Sequence, residues 1–471
     1  MSTDHSTTDI DAQVGYETRR GRLKARLHAR RLWRTALIVG VAVVGGMVAS
    51  GYARLCDLMM DTHARLFTLA GWPIVLLLPA GFGLAAWLTR RLAPEAAGSG
   101  IPQVIAAAEQ RWSGRWGGQR VTLRTAAWKV VLSALVLVCG GSIGREGPTV
   151  QVVAGVLRSL TRGLRGGPGR RTMIIAGGAA GVAAAFNTPI AGVVFAVEEL
   201  AKSFHARTNS IVILVVVVAG FTSWTVQGDY AYFGVLGGQT PLAQAWLLAP
   251  AIGVAGGLFG GVFARLLGAV MGPGAHPVVR FRRARPVLFA VLCGCAAAFV
   301  ALASGGLTFG AGYAEAKSLI ADHPGRGFGF AIAKFAATLA AAASGVPGGI
   351  FAPSLATGAG LGAAFARLGL DIGGREAVVL GMAAYLSGVV QAPLTSAVIL
   401  MEMTRDPGLV GPLMLSTLLA RAVSGLIAPE PIYHLLSRNW RLTPPGKTAR
   451  ATRPPQSSSG PPDAAGSEAS A

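Results

Sequence analysis

The chain has 471 residues, of which 52% are hydrophobic and 13% charged, and its mean hydropathy is +0.52. This composition excludes a soluble protein of that length and predicts a polytopic membrane protein. The net charge of +21 could indicate nucleic-acid binding, but the distribution of the basic residues argues against it, because their clusters flank apolar runs as in cytoplasmic loops. These clusters fall within residues 19–34, 162–171 and 280–285.

The apolar runs mark a membrane region between two tails. Residues 1–34 are polar and basic and are expected to form a cytoplasmic tail, followed by a retained span rather than a cleaved signal. No run alternates like a lipid-facing strand, so we expect helices throughout residues 35–437. Residues 438–471 are rich in Pro, Ser, Gly and Ala, which predicts a disordered cytoplasmic tail.

The first motif in chain order is Gly-Ser-Gly-Ile-Pro at residues 98–102. Small residues precede a proline at the first turn of a predicted helix. An ordinary loop and cap would read the same way. The alternative is an anion site, because the unpaired amides and the positive end of the helix dipole face whatever lies before the helix.

Two further motifs repeat this design at residues 144–148 (Gly-Arg-Glu-Gly-Pro) and 349–353 (Gly-Ile-Phe-Ala-Pro). Three such helix starts in one apolar chain favour convergence on a common anion. Glu146 lies between two hydrophobic stretches, where a carboxylate costs several kcal/mol unless it faces a cavity, a partner or an ion. It is therefore a candidate functional residue by default.

The two halves of the membrane region resemble each other, which predicts an internal duplication. The match covers residues of the second and third motifs and continues at nearly constant spacing, so that Glu198 corresponds to Glu402. We divide the region into repeats at about residues 35–225 and 240–437. Such a duplication is typical of transporters whose site lies where the repeats meet.

The three motifs, in this order, resemble the signatures of the CLC family of chloride channels and chloride/proton exchangers. The resemblance covers about residues 36–433 and includes Ala-Phe-Asn-Thr-Pro at residues 185–189. It implies an all-α polytopic membrane protein with two inverted structural repeats of tilted, partly broken helices. It also implies a homodimer with one pore per subunit, in a bacterial inner membrane, with both termini cytoplasmic.

The resemblance further assigns roles at matching positions. Glu146 would be the gating glutamate, which occupies an anion position when ionised and swings away when protonated. Chloride would be held by the Ser99 hydroxyl, the backbone amides of Ile350 and Phe351, and the Tyr433 phenol. Tyr433 also fits an ordinary aromatic-belt residue. The supporting motif residues would be Gly98, Gly100, Arg145 and Gly147.

Three charged positions bear on whether protons also move. Glu199 matches the glutamate that passes protons to the gate from the cytoplasmic side of exchangers, although Glu198 and Glu199 also suit a solvated helix end. Lys129 resembles a buried lysine of exchangers that biases nearby carboxylates toward ionisation, or else snorkels to the interface. Arg145 either raises the local anion concentration or snorkels.

The leading hypothesis is a secondary transporter that exchanges chloride for protons, with Glu146 as gate and proton acceptor. The alternative is a passive, voltage- or pH-gated chloride channel of the same fold. An intramembrane enzyme is disfavoured, since the seven histidines fall mainly in tails or loops and no zinc or Ser/His pattern occurs. We expect no metal and no cofactor, because chloride and protons are the transported ions.

Overall fold

The computed structural model describes residues 6–109, 120–163, 168–201, 206–228, 233–234, 242–274, 276–321, 327–367 and 374–441. Contacts divide the chain into two units, residues 1–440 and residues 441–471. Only Arg441 of the second unit is described, so most of the predicted C-terminal tail lies outside the described residues.

The first repeat contains eight helices. Helix α1 begins at Ser6 and therefore includes most of the segment predicted as a basic tail. The bounds are α1 Ser6–Ala70, α2 Leu77–Leu92, α3 Ile101–Glu109, α4 Leu123–Val138, α5 Glu146–Leu160, α6 Arg170–Phe186, α7 Pro189–Phe195 and α8 Ala206–Gln227. A π-helical segment, Ala196–Ala201, continues α7.

The second repeat follows the same order of long and short helices, with a short basic helix α10 and a final helix α18 added. The bounds are α9 Leu242–Met271, α10 Pro277–Ala284, α11 Pro286–Ala303, α12 Tyr313–Ile320, α13 Gly327–Ser344, α14 Phe351–Ala366, α15 Gly374–Val390, α16 Pro393–Thr404, α17 Val410–Ile427 and α18 Ile432–Ser437.

Seven segments of the described part are long and apolar enough to cross a membrane, namely α11, α13, most of α1, α8 and α9, and α2 and α17 each with the short 3₁₀ turn before it. Helices α3, α7, α12 and α18 are far shorter than the roughly 20 residues needed to span a bilayer. The chain is therefore a multi-pass membrane protein with partly broken helices, as the sequence predicts. Broken helices place helix ends at membrane depth, where they can meet ions.

Glycines allow the same close helix contact in both repeats. A Cβ on Gly177 of α6 would lie 2.7 Å from Ala154 Cα of α5, and a Cβ on Gly381 of α15 would lie 2.6 Å from Gly362 N of α14. Without hydrophobic drive between lipid-embedded helices, such backbone approach is a main source of packing energy. The glycines thus act in helix packing, as their location in apolar runs predicts.

The two repeats bind each other reciprocally. Gly144 and Gly349 exchange two backbone hydrogen bonds, each 2.8 Å long, in an antiparallel bridge. Glu198 accepts the amides of Leu394 and Thr395 at the start of α16 (3.1 and 2.7 Å). Its repeat partner Glu402 caps the start of α7, accepting the amides of Ile190 and Ala191 (3.1 and 2.6 Å). Such reciprocal contacts are expected of two copies related by an approximate twofold axis.

Candidate anion and proton site

The three predicted helix starts are confirmed and lie together. Helices α3, α5 and α14 begin at Ile101, Glu146 and Phe351. Gly98 N donates to Gly345 O (3.0 Å) and Gly348 N donates to Gly98 O (3.1 Å), which joins the first loop to the third. The Gly144–Gly349 bridge joins the second to the third. The first-turn amides of these helices have no acceptors within their own helix and can bind an anion.

Ser99 and Tyr433 bring two hydroxyl groups to this cluster. Both hydroxyls are buried and have no hydrogen-bond partner among the described residues. The Tyr433 ring stacks on Phe351, with centroids 5.9 Å apart and an interplanar angle of 13°. Tyr433 is 0% exposed, which rules out the aromatic-belt interpretation. Buried hydroxyls that still have a proton to donate fit an anion such as chloride.

Two motif glycines are required by the close approach of the first and second helix starts. A Cβ on Gly147 would collide with Ser99 Oγ and lie 3.0 Å from Ser99 O. Gly100 has a φ of +104°, where side chains are strained, and a Cβ there would lie 3.0 Å from Gly147 O. The glycines therefore fix the position of the Ser99 hydroxyl.

Glu146 is buried, at 1% exposure, and its carboxylate lies at the start of α14. Oε2 is 3.4 Å from the amide nitrogen of Ala352, and Oε1 accepts a hydrogen bond from the Tyr313 hydroxyl. The carboxylate thus occupies a position that an anion could take. No sequence motif pointed to Tyr313, because it follows a glycine-rich loop and belongs to none of the three motifs.

Arg145 neither snorkels nor faces the anion pathway freely. Its side chain is 3% exposed and donates to Asp57 Oδ1 at 2.7 Å and to Ala53 O at 2.9 Å, both on α1. The guanidinium carbon lies 5.9 Å from the centroid of the Tyr313 ring. Asp57 therefore offsets part of the positive charge that the sequence analysis assigned to anion attraction.

Lys129 is fully buried, so the snorkelling interpretation is wrong. Its ammonium donates to Ala96 O (2.8 Å) and Gly98 O (2.5 Å), in the loop that presents Ser99. Lys334 on α13 does the same in the second repeat, donating to Thr308 O (3.0 Å) and Gly310 O (2.8 Å). Lys334 stands at the same repeat spacing as Gly349, so the duplication in the sequence could have revealed it.

Glu198 and Glu199 face different ways, as adjacent helical positions do. Glu198 caps α16, whereas Glu199 is buried at 3% exposure and lies 3.6 Å from His434 Nε2. Both glutamates belong to the π-helical segment, a conformation that is frequent at functional sites. No motif pointed to His434, which directly follows Tyr433, so that α18 carries both the Tyr433 hydroxyl and the imidazole next to Glu199.

A cavity of about 420 Å³ leads to Ser99 from one face of the protein. Gly98, Ser99 and three arginines, Arg90, Arg282 and Arg283, are among its lining residues. Basic residues around a concave entrance raise the local concentration of anions. Two arginines of the basic cluster within residues 280–285, Arg282 and Arg283, thus line the cavity that reaches Ser99. Among the described residues, no group of three or more His, Cys, Asp or Glu could hold a metal ion.

Comparisons with known proteins identify the family. The family model described as voltage gated chloride channel matches residues 80–425. The H(+)/Cl(-) exchange transporter ClcA of Yersinia pestis bv. Antiqua (strain Angola) is 31% identical, over 91% of this chain and 93% of its own length. ClcA of Citrobacter koseri is 30% identical, over 96% and 98%.

A solved structure gives the same result for the fold. The structure of a slow cyanobacterial Cl-/H+ antiporter superposes with a TM-score of 0.73 at 26% identity, covering 86% of this chain and 98% of that one. The shared fold and sequence extend across all three helix starts. The chain therefore belongs to the voltage gated chloride channel (CLC) family and is a membrane transporter rather than an enzyme.

Proposed function

We propose that this protein is a secondary active transporter that exchanges chloride for protons. Glu146 is the gate and the proton acceptor, and Glu199 transfers protons on the cytoplasmic side. Chloride binds to the hydroxyls of Ser99 and Tyr433 and to the amides of Ile350 and Phe351. The relatives named above as H(+)/Cl(-) exchange transporters support this assignment.

The observation that carries the proposal is the position of Tyr433. Its ring stacks on Phe351, next to the Ala352 amide that Glu146 faces, and the following residue, His434, lies 3.6 Å from Glu199. Both carboxylates are almost completely buried. Burying two carboxylates around one pair of hydroxyls is costly and needs a functional reason. Proton exchange supplies one, because each carboxylate can hold a proton while chloride occupies the hydroxyls between them.

The proposed ligands suit an ion that must also leave. Hydroxyls and helix amides offer partial positive charge, whereas a lysine or arginine contact would hold chloride too tightly for turnover. The arginines of the entrance cavity remain available to attract anions. In the cycle, ionised Glu146 lies at the start of α14, protonation removes its charge, and chloride then takes the released position.

The oligomeric state, membrane and orientation of the protein are proposed from the family resemblance. We propose a homodimer with one pore per subunit in a bacterial inner membrane, with both termini cytoplasmic. The partners are the two transported ions and the lipid bilayer, and transport requires no cofactor. Cysteine crosslinking across the subunits and labelling of tagged termini test these assignments.

Flux measurements in liposomes test the exchange. A chloride gradient should drive protons uphill in the native protein. Glu199→Gln should stop proton movement while chloride transport continues, because the amide cannot carry a proton. Glu146→Gln should mimic a permanently protonated gate and also abolish proton movement. Glu430→Gln removes a partly exposed carboxylate paired with Arg438 and should change neither flux.

The channel alternative predicts a different outcome of the same experiment. Chloride flux without coupled proton movement, together with a reversal potential that ignores a pH gradient, would assign the protein to passive conduction. Glu146 would then gate the pore without its proton crossing the membrane.

A further inference from the structure

We propose that Tyr313 is a positioning residue that latches the ionised Glu146 carboxylate in the anion pathway. The proposal rests on the assignment of Glu146 as the gate. It adds a residue from the second repeat, outside all three motifs, that sets how readily the gate opens as the pH falls.

The two oxygens of the Glu146 carboxylate have two separate donors. Oε1 accepts from the Tyr313 hydroxyl, and Oε2 faces the Ala352 amide at 3.4 Å. Hydrogen bonds to an ionised acceptor are about twice as strong as those between neutral groups. Protonation of Glu146 weakens both hydrogen bonds, because the carboxyl group then carries no charge. The Tyr313 hydroxyl therefore holds the ionised side chain more firmly than the neutral one.

The backbone that presents Tyr313 is held by Lys334. Lys334 binds the carbonyls of Thr308 and Gly310, three to five residues before Tyr313. Gly312, the residue just before α12, has a φ of +84°, and a Cβ there would lie 2.6 Å from Ala356 Cβ and 2.8 Å from Lys334 Cε. Tyr313 therefore projects from a turn whose shape is fixed by its contacts.

The ring of Tyr313 is held from two sides. The Arg145 guanidinium lies over it at 5.9 Å, and Phe233 approaches it at 6.2 Å between centroids. Arg145 is in turn fixed by Asp57 and Ala53 O. An aromatic ring held this way directs its hydroxyl to one place, and that place is the gating carboxylate.

The other ionisable groups around Glu146 do not replace this hydroxyl. Of the elements packed against α5, helix α4 directs Lys129 to the carbonyls of Ala96 and Gly98. Arg145 is engaged by Asp57. Among the described residues, the titratable groups near Glu146 or its neighbour Arg145 include Tyr313 on α12, Tyr52, Cys56 and Asp57 on α1, and Tyr433 on α18.

Tyr313→Phe tests the latch by removing the hydroxyl and keeping the ring. Chloride flux from liposomes is measured between acidic and neutral pH. We expect several-fold faster flux at neutral pH and a shift of the half-maximal rate by about one unit toward higher pH, which is the size expected from losing a hydrogen bond to a charged group. The proton-to-chloride ratio should stay unchanged, because Glu199 is untouched.

Tyr385→Phe is the matched control. Tyr385 on α15 is more deeply buried than Tyr313, and its hydroxyl has no hydrogen-bond partner among the described residues, so its loss should leave the pH profile unchanged. In Glu146→Gln protein, adding Tyr313→Phe should have no further effect on flux. Thermal unfolding midpoints of all variants confirm that the comparison is made on folded protein.

An unchanged pH profile in Tyr313→Phe, or the same shift in Tyr385→Phe, overturns the latch. These outcomes differ from a failure of the proposed exchange, which would appear in the native protein as chloride flux without coupled proton movement. The pH profile of chloride flux reports on the latch in either case.

Discussion

The two helix starts that meet at the Gly144–Gly349 bridge have the same backbone arrangement and differ in their side chains. The start of α5 carries Arg145 and Glu146, whereas the start of α14 carries Ile350 and Phe351 at the same repeat spacing. The first offers a carboxylate, and the second offers amides that can receive it. Duplication thus supplies two facing helix starts, and divergence gives one of them the carboxylate that we propose as the gate.

The two loops that are bound by buried lysines show the same contrast. Lys129 and Lys334 each bind the carbonyls of the loop before a short helix. The first loop presents the Ser99 hydroxyl to the central site, while the second presents Tyr313 to Glu146. Equivalent scaffolds therefore support the proposed chloride ligand Ser99 in one repeat and the proposed gate Glu146 in the other.

The largest effects are expected when each buried lysine is replaced by methionine, and the two replacements should affect different properties of transport. Lys129→Met removes the donors of two carbonyls beside Ser99, and each unsatisfied carbonyl costs roughly 1–3 kcal/mol. We expect chloride binding, measured by titration calorimetry, to weaken about tenfold or more. Lys334→Met should leave chloride affinity nearly unchanged and alter the pH profile of flux. Equal loss of affinity in both variants would contradict the division of roles.

Removing each reciprocal cap should have a moderate and nearly symmetric effect. Glu198→Ala and Glu402→Ala each leave two helix amides without their acceptor, which costs about 1 kcal/mol. We expect both thermal midpoints to fall by a few degrees, with the larger fall for Glu198, which also accepts the Thr395 hydroxyl at 2.6 Å. Loss of proton coupling in Glu198→Ala at unchanged stability would instead indicate a proton-transfer role.

Asp57→Asn should have the smallest effect. The second repeat carries Ile350 where the first carries Arg145, so the Asp57–Arg145 pair has no counterpart there. The Asp57 side chain is 51% exposed, so its ion pair with Arg145 contributes about 0–1 kcal/mol. We expect an unchanged thermal midpoint and a small shift of the pH profile toward lower pH, opposite to that of Tyr313→Phe, because Arg145 then acts on Glu146 without the opposing carboxylate. A shift in the same direction as that of Tyr313→Phe would show that Asp57 acts by holding Arg145 against the Tyr313 ring.

Much of the scaffold was predictable because its signals are local or periodic. Glycine and proline at residues 98–102, 144–148 and 349–353 predict the three helix starts, and repeat spacing links Glu198 to Glu402. Tyr313 and His434 carry no such signal. They become recognisable only when the fold brings α12 to Glu146 and α18 to Glu199.

The sequence by itself determines that this is a helical, duplicated membrane protein with three glycine-flanked helix starts, since composition, spacing and backbone preference are properties of the chain. Only the tertiary structure decides which buried groups meet. Lys129 becomes a clamp on backbone carbonyls and Arg145 becomes ion-paired to Asp57, because a buried charge must find its partners wherever the fold places them. In the same way, only the fold brings the Tyr313 hydroxyl to the Glu146 carboxylate.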